Sequence, residues 1–214
     1  MNAQEFTPAA GRFAPTGFYD RGVSLLTRET VWRRELLQLL GPANGETILD
    51  VGCGTGSLAL LIKRAAPGAH VVGLDPDPQA LSIARRKANA AGIRIEWRQG
   101  FAREAADGSA FDKVVSSLVF HQVQVEEKKA GMAAMFAAAN AGGTICIADY
   151  ARQGAWPMRQ LFRVIQVLDG RANTEPNANG FLESELSMLC GRDVDARSAI
   201  NTPTGAISIF LEKK

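Results

Sequence analysis

The stretch ILDVGCGTG, Ile48 to Gly56, joins an apolar run to a turn of alternating glycines. Ile48, Leu49 and Val51 suit a parallel strand covered on both faces, and Asp50 interrupts that run. Gly52, Gly54 and Gly56, with Cys53 and Thr55 between them, supply positions that tolerate positive φ and let a ligand reach the main chain. The spacing is G-x-G-x-G, and Ser57 stands where a dinucleotide fingerprint places its third glycine. The usual pyrophosphate-binding turn is therefore not reproduced, and the Asp50 carboxylate would repel a pyrophosphate. A carboxylate beside bare backbone amides suits the ammonium of a cofactor that carries an amino-acid group.

One strand–helix unit later, HVVGLD (His70 to Asp75) forms a second apolar run that again ends in an acid. Asp75 is placed to accept hydrogen bonds from both hydroxyls of a ribose lying across the strand tips. Pro76 and Pro78 flank Asp77 and force a turn before the helix expected over Gln79 to Ala91. Strand and helix then keep alternating. Ile93, Ile95 and Trp97 alternate with charged residues, which predicts a strand at a sheet edge; Phe111 to Ser116 and Thr144 to Asp149 read as the next strands, with a helix over Val125 to Ala139 between them. This pattern predicts an α/β fold with a doubly wound, mostly parallel sheet. Before it, Leu25 to Leu40 has helical spacing and residues 1–18 read as an arm. After it, a helix is expected over Trp156 to Leu168, a polar loop over Arg171 to Gly180, a helix over Leu182 to Leu189, and a hairpin made of Asp193 to Ile200 and Ala206 to Leu211.

ILDVGCGTG, VVGLDPDPQAL, FDKVVSSLVFHQV and AGGTICIAD together resemble the successive motifs of class I S-adenosylmethionine-dependent methyltransferases. YDRGVSLLTRETVWRRELL ahead of them and TPTGAISIFLEKK at the close are similar to the ubiquinone and menaquinone C-methyltransferase branch. The resemblance implies a Rossmann-like seven-stranded sheet of order 3-2-1-4-5-7-6, its C-terminal hairpin contributing the antiparallel strand. It implies one methyltransferase domain over 1–214: arm and helix at 1–45, cofactor-binding core at 46–150, helical lid at 151–192 and hairpin at 193–214. S-adenosylmethionine is the implied cofactor and S-adenosylhomocysteine its product.

Asp50 and the turn Gly52, Cys53, Gly54, Thr55, Gly56 are the expected contacts to the methionine part, and Asp75 with Pro76 those to the ribose. The family has a GDA-like sequence after the third strand whose acid reads adenine; this chain has Gly100, Phe101 and Ala102. Adenine recognition is then expected from backbone groups there or from stacking on Phe101, whose other reading is plain core. Ser116 and Ser117 end the fourth strand, where open α/β sheets place ligands. His121 follows as a base or orienting donor for the acceptor, or else a hydrogen-bonded histidine at a helix start. Tyr19 resembles a family tyrosine that closes over the cofactor, and equally suits an anchor for the arm.

Composition narrows the classes. Lys and Arg (24) nearly balance Asp and Glu (22), and they are interspersed, so no basic face for nucleic acid is expected. Cys53, Cys146 and Cys190 have no metal spacing, and two histidines exclude a multi-His metal site. The N-terminus has neither a basic leader nor an apolar core, and no apolar run approaches the ~20 residues of a membrane span, so a cytoplasmic protein is expected. The acceptor is expected to be a small molecule, apolar or aromatic if the Phe, Leu, Trp and Met of Trp156 to Leu168 line a lid. Two other classes stay open: a protein that binds S-adenosylmethionine or its product without turnover, and an NAD-dependent oxidoreductase, against which Ser57 and Asp50 both argue.

Overall fold

The computed structural model describes residues 28–214 apart from residue 109. Tyr19 and the arm therefore lie outside the described residues. Helix α1 (Glu29–Leu40) ends at Gly41, which is left-handed at φ 52°. Alternating units follow: β1 (Thr47–Val51), α2 (Ser57–Ala65), β2 (His70–Asp75), α3 (Pro78–Ala90), β3 (Glu96–Gln99), β4 (Phe111–Ser117), α4 (Val125–Ala138) and β5 (Ala139–Tyr150). Four short helices, α5 (Trp156–Leu161), α6 (Arg163–Asp169), α7 (Arg171–Ala178) and α8 (Phe181–Cys190), precede the hairpin of β6 (Ser198–Thr202) and β7 (Gly205–Lys213).

The seven strands lie in the order β3-β2-β1-β4-β5-β7-β6, as the motif resemblance implies. The first five are parallel neighbours, and β7 enters antiparallel between β5 and β6. The central strands bury both faces, which explains why they read as continuous apolar runs rather than alternating ones. One layer gathers Ile48, Val71, Val115 and Cys146 against α1 and α2; the other gathers Leu49, Val72, Val114 and Ile147 against α4 and α8. β3 is an edge strand, as its alternation predicts, and Trp97 folds back from it over the glycine turn.

Three expectations need correction. The helix expected over Trp156 to Leu168 is two helices that meet at Phe162, whose ring is fully buried between them and the sheet. The polar stretch from Arg171 is not a loop but helix α7, with Pro176 in its last turn. Its polar residues Thr174 and Asn177 are fully buried and hydrogen-bonded, so tertiary partners stabilise a helix that its composition alone disfavours. The strands expected from Ile93 and from Asp193 are strand only from Glu96 and from Ser198; the hairpin turn lies in the expected TPTG, at Pro203-Thr204, with Thr202 Oγ1 accepting from the Thr204 amide at 3.2 Å.

Candidate active site

The carboxyl end of β1 breaks into the turn because Gly52, Gly54 and Gly56 take φ values of 69°, 52° and 77°. The Gly52 and Cys53 amides donate to the Leu74 carbonyl at 2.8 and 3.0 Å, which seals the turn to β2. The three glycines serve different needs. A Cβ on Gly52 would lie 2.2 Å from Val119 Cγ2, and one on Gly56 would lie 2.5 Å from the Trp97 ring and 2.9 Å from Ala84 Cβ. Both are excluded by packing. A Cβ on Gly54 meets nothing within 4 Å, so Gly54 alone turns its bare face to open space. Cys53 fills the gap under Gly73 as a small buried side chain, and Thr55 Oγ1 accepts from Lys87 Nζ at 2.8 Å.

Asp75 braces this turn. Its two oxygens accept from the Gly54 amide at 2.8 Å and from the Asp77 amide at 2.9 Å. It is not the cap of α3: Asp77 is, accepting from the Gln79 amide at 2.8 Å with Pro78 opening the helix. Each Asp75 oxygen keeps acceptor capacity for a hydroxyl beyond its backbone contact. Burial raises its pKa, and the two amides work against that rise.

Asp50 lies one strand away and is fully buried, with neither oxygen hydrogen-bonded. Burial lifts its pKa to about 7, although the Arg33 guanidinium and the Ala59 amide are close enough to pull it down. A buried carboxylate without a well-formed hydrogen bond is costly, and Arg33 acts on it only through space, so it can still take a cationic ligand group. Ser116 Oγ, at the end of β4, is likewise buried without a hydrogen bond, and Ser117 beside it is half-buried. Asp50 and Ser116 leave the sheet on opposite faces, since Asp50 pairs with Val115 and Ser116 with Val51. Next in the chain, Leu118 is held at φ 56°, a conformation costing a non-glycine residue about 1–2 kcal/mol and typical of ligand sites.

After β3, the Gly100 amide donates to the Asp75 carbonyl at 3.2 Å, so this turn is tied to the end of β2. Phe101 is not core. Its ring is half-buried with the Arg103 guanidinium 4.3 Å above it, and its amide donates to Glu104 Oε2 at 2.7 Å. Ala102 packs toward Gly131 of α4, where a Cβ would come within 2.9 Å. Pro76 joins in through its carbonyl, which accepts from Gln99 at 3.3 Å.

His121 sits in a short turn after β4, on the far side of the strand end. It is buried, with Nδ1 at 2.7 Å from Asp149 and Nε2 at 3.4 Å from Asp169. Burial alone would lower its pKa, but the two carboxylates more than reverse this and hold it at about 9. Near neutral pH it is an imidazolium with both nitrogens engaged, a geometry that favours orienting over proton abstraction. Asp149 also accepts from the Phe120 and Tyr150 amides at 2.6 and 2.7 Å. Sequence reading missed Asp149, Asp169 and a buried lysine, Lys128. Lys128 Nζ donates to the Asn173 carbonyl and to Asn177 Oδ1, each at 2.6 Å, and burial lowers its pKa to about 8 against the pull of Asp149. The available signal was a charged residue inside an otherwise apolar helical face, which sequence cannot distinguish from a solvated one.

Residues 48–143 match the methyltransferase-domain family model, rather less than half of the chain. That segment is similar to a methyltransferase domain, and the sheet order is that of the class I methyltransferase fold. Over 102 residues it is 42% identical to the demethylmenaquinone methyltransferase of Thermus thermophilus, covering 47% of this chain and 46% of that protein. The ubiquinone biosynthesis O-methyltransferase of Azorhizobium caulinodans is 44% identical over 85 residues, 39% of this chain and 33% of the relative. The chain thus spans about half or less of the length of these curated relatives. The fold is similar to magnesium protoporphyrin IX methyltransferase from Synechocystis PCC 6803, solved with bound S-adenosylhomocysteine. That likeness has a TM-score of 0.68 at 16% identity, over 95% of this chain and 90% of the other. Among the described residues no helix is long and apolar enough to cross a membrane.

Proposed function

We propose that this methyltransferase uses S-adenosylmethionine to methylate a small, apolar or aromatic molecule. The observation that carries the reading is the buried Asp50 carboxylate, without a well-formed hydrogen bond, beside a glycine turn whose Gly54 faces open space. A dinucleotide would bring a pyrophosphate to that turn, where a carboxylate is unfavourable; a methionine ammonium satisfies it. Asp75 and Pro76 would hold the ribose, Gly100, Phe101 and Ala102 the adenine edge, and Ser116 with Ser117 the strand end beside the methionine. Cys53 and Thr55 shape the turn. When bound, the cofactor supplies an electrophilic methyl group on a sulfonium. The chain's part is to align acceptor and methyl and to exclude water, which needs no metal and only sometimes a base.

The small acceptor rests on the quinone and porphyrin substrates in the relatives' names and on the lack of a basic face in the sequence; nucleic acid is not part of the reading. Helices α5 to α7 are read as a cap over the acceptor, Tyr19 as a second closing group, and the free Cys53, Cys146 and Cys190 as fitting a reducing cytoplasm. A protein that binds donor or product without turnover is the second reading, favoured by the engagement of both His121 nitrogens. Melting curves with S-adenosylmethionine, S-adenosylhomocysteine and NAD test the first claim. Either sulfur compound at ~100 times its dissociation constant should add about 2.7 kcal/mol to stability, and NAD nothing. Stabilisation by NAD alone refutes the proposal. Methyl transfer to a panel of phenols and quinols then separates turnover from mere binding.

A further inference from the structure

We propose that His121, Asp169 and Lys128 are positioning residues that latch the α6–α7 segment over the carboxyl ends of β4 and β5, closing the acceptor side. The inference rests on the methyltransferase reading for what is enclosed, but the latch itself rests on contacts within this chain. Helix α6 has little apolar anchorage. Among its residues Ile165 is buried, while Val164, Val167 and Leu168 are 46%, 83% and 65% exposed. Its C-terminal residue Asp169 instead turns inward, with its side chain only 7% exposed, and meets His121 Nε2 at 3.4 Å. On the other side of the imidazole, Asp149 of β5 accepts from Nδ1 at 2.7 Å.

Helix α7 is held in the same polar way. Asn173 Nδ2 donates to the Gln122 carbonyl at 3.0 Å, one residue from His121. Lys128 of α4 reaches both Asn173 and Asn177, and Asn177 Nδ2 donates to the Tyr150 carbonyl at 2.8 Å. The groups facing His121 are thus Asp149 and the edge-on Tyr150 ring from β5 and Asp169 from α6, while Lys128 from α4 is a cation acting on Asp149. Two carboxylates around one proton make the bridge dependent on that proton. With His121 neutral, one nitrogen loses its hydrogen and faces a carboxylate as a bare lone pair, so Asp149 or Asp169 must swing away. Asp149 is fixed by two backbone amides, so Asp169, at the end of the weakly anchored α6, is the partner that leaves. Opening at α6 admits the acceptor without disturbing the glycine turn, which lies on other strands.

The test is amide hydrogen exchange in the full chain, corrected for the intrinsic pH dependence of exchange. Asp169→Asn should speed exchange across residues 163–178 by about tenfold or more, leave residues 47–90 unchanged, and keep S-adenosylhomocysteine affinity within about threefold. Asp169→Glu should restore most of the protection. In the wild type the same segment should open as pH rises from 7 to 9.5, and in His121→Gln that pH dependence should vanish. If Asp169→Asn does not fold, the wild-type pH series and His121→Gln still decide. Unchanged exchange in residues 163–178, or equal loosening of residues 47–90, overturns the latch; loss of S-adenosylhomocysteine binding by the wild type overturns the methyltransferase reading instead.

Discussion

Ionisation of Asp50 should be visible in cofactor binding. Its carboxyl is held at about 7 by burial, so the ligand-free protein near neutrality is a mixture of neutral and charged forms. A methionine ammonium favours the charged form, and binding must therefore expel a proton wherever Asp50 is protonated. At pH 6, one unit below that value, about nine tenths of the protein carries the proton, and ionising it costs about 1.4 kcal/mol. Affinity for S-adenosylhomocysteine should accordingly be about tenfold weaker at pH 6 than at pH 8.5. Calorimetry in two buffers of different ionisation enthalpy should count close to one proton released at pH 6 and almost none at pH 8.5. Asp50→Asn should bind more weakly at high pH and show neither the slope nor the proton. A wild-type affinity that is flat from pH 6 to 8.5, with no proton released, would show that Asp50 does not face the ammonium.

Three further outcomes follow from the geometry. Gly52→Ala should destabilise the fold by about 2 to 4 kcal/mol, because its methyl enters Val119 at positive φ, whereas Gly54→Ala should cost only the ~1–2 kcal/mol of backbone strain yet weaken S-adenosylhomocysteine tenfold or more. Chemical denaturation and calorimetry separate the two; equal affinity loss per unit of stability would mean that the whole turn is structural. Asp75→Ala should lose cofactor affinity by about 1.5–3 kcal/mol and also cost roughly 1–3 kcal/mol of stability, since the Gly54 and Asp77 amides lose their acceptor. Normal stability in that variant would contradict the bracing role. Ligand-free stability should fall as pH rises from about 6.5 to 8: the raised His121 pKa contributes stability that is complete below its unfolded value of about 6.5 and is lost on the way to 9. Lys128, lowered to about 8, has the opposite sign above pH 8, so the decline should flatten there; Asp50, raised to about 7, adds to the fall below pH 8, so His121→Gln should shrink the fall and combining it with Asp50→Asn should remove it, and urea midpoints across pH measure it.

The core of the fold was legible because its signals are local. Glycines that need positive φ, prolines that end or open helices, and apolar runs bounded by acids at strand ends all act within a few residues of themselves, and Ile48 to Gly56 and His70 to Pro78 fold as they read. The edge position of β3 followed from its alternation, while the place of β7 between β5 and β6 came from resemblance, since no local pattern orders strands. What tertiary structure alone decided is the fate of polar residues that end up buried. Asn173, Thr174, Pro176 and Asn177 read as a loop, and become a helix because Lys128, 49 residues before Asn177, satisfies Asn173 and Asn177, and Asn177 in turn donates to the Tyr150 carbonyl. His121 reads as a base, an orienting donor or a hydrogen-bonded histidine alike, and it becomes a bridging cation because the chain brings Asp149 and Asp169 to its two nitrogens. Even Asp50, visible from the start, owes its pKa of about 7 to layers of helix and sheet folded over it, because desolvation is set by everything around a charge and not by its neighbours in sequence.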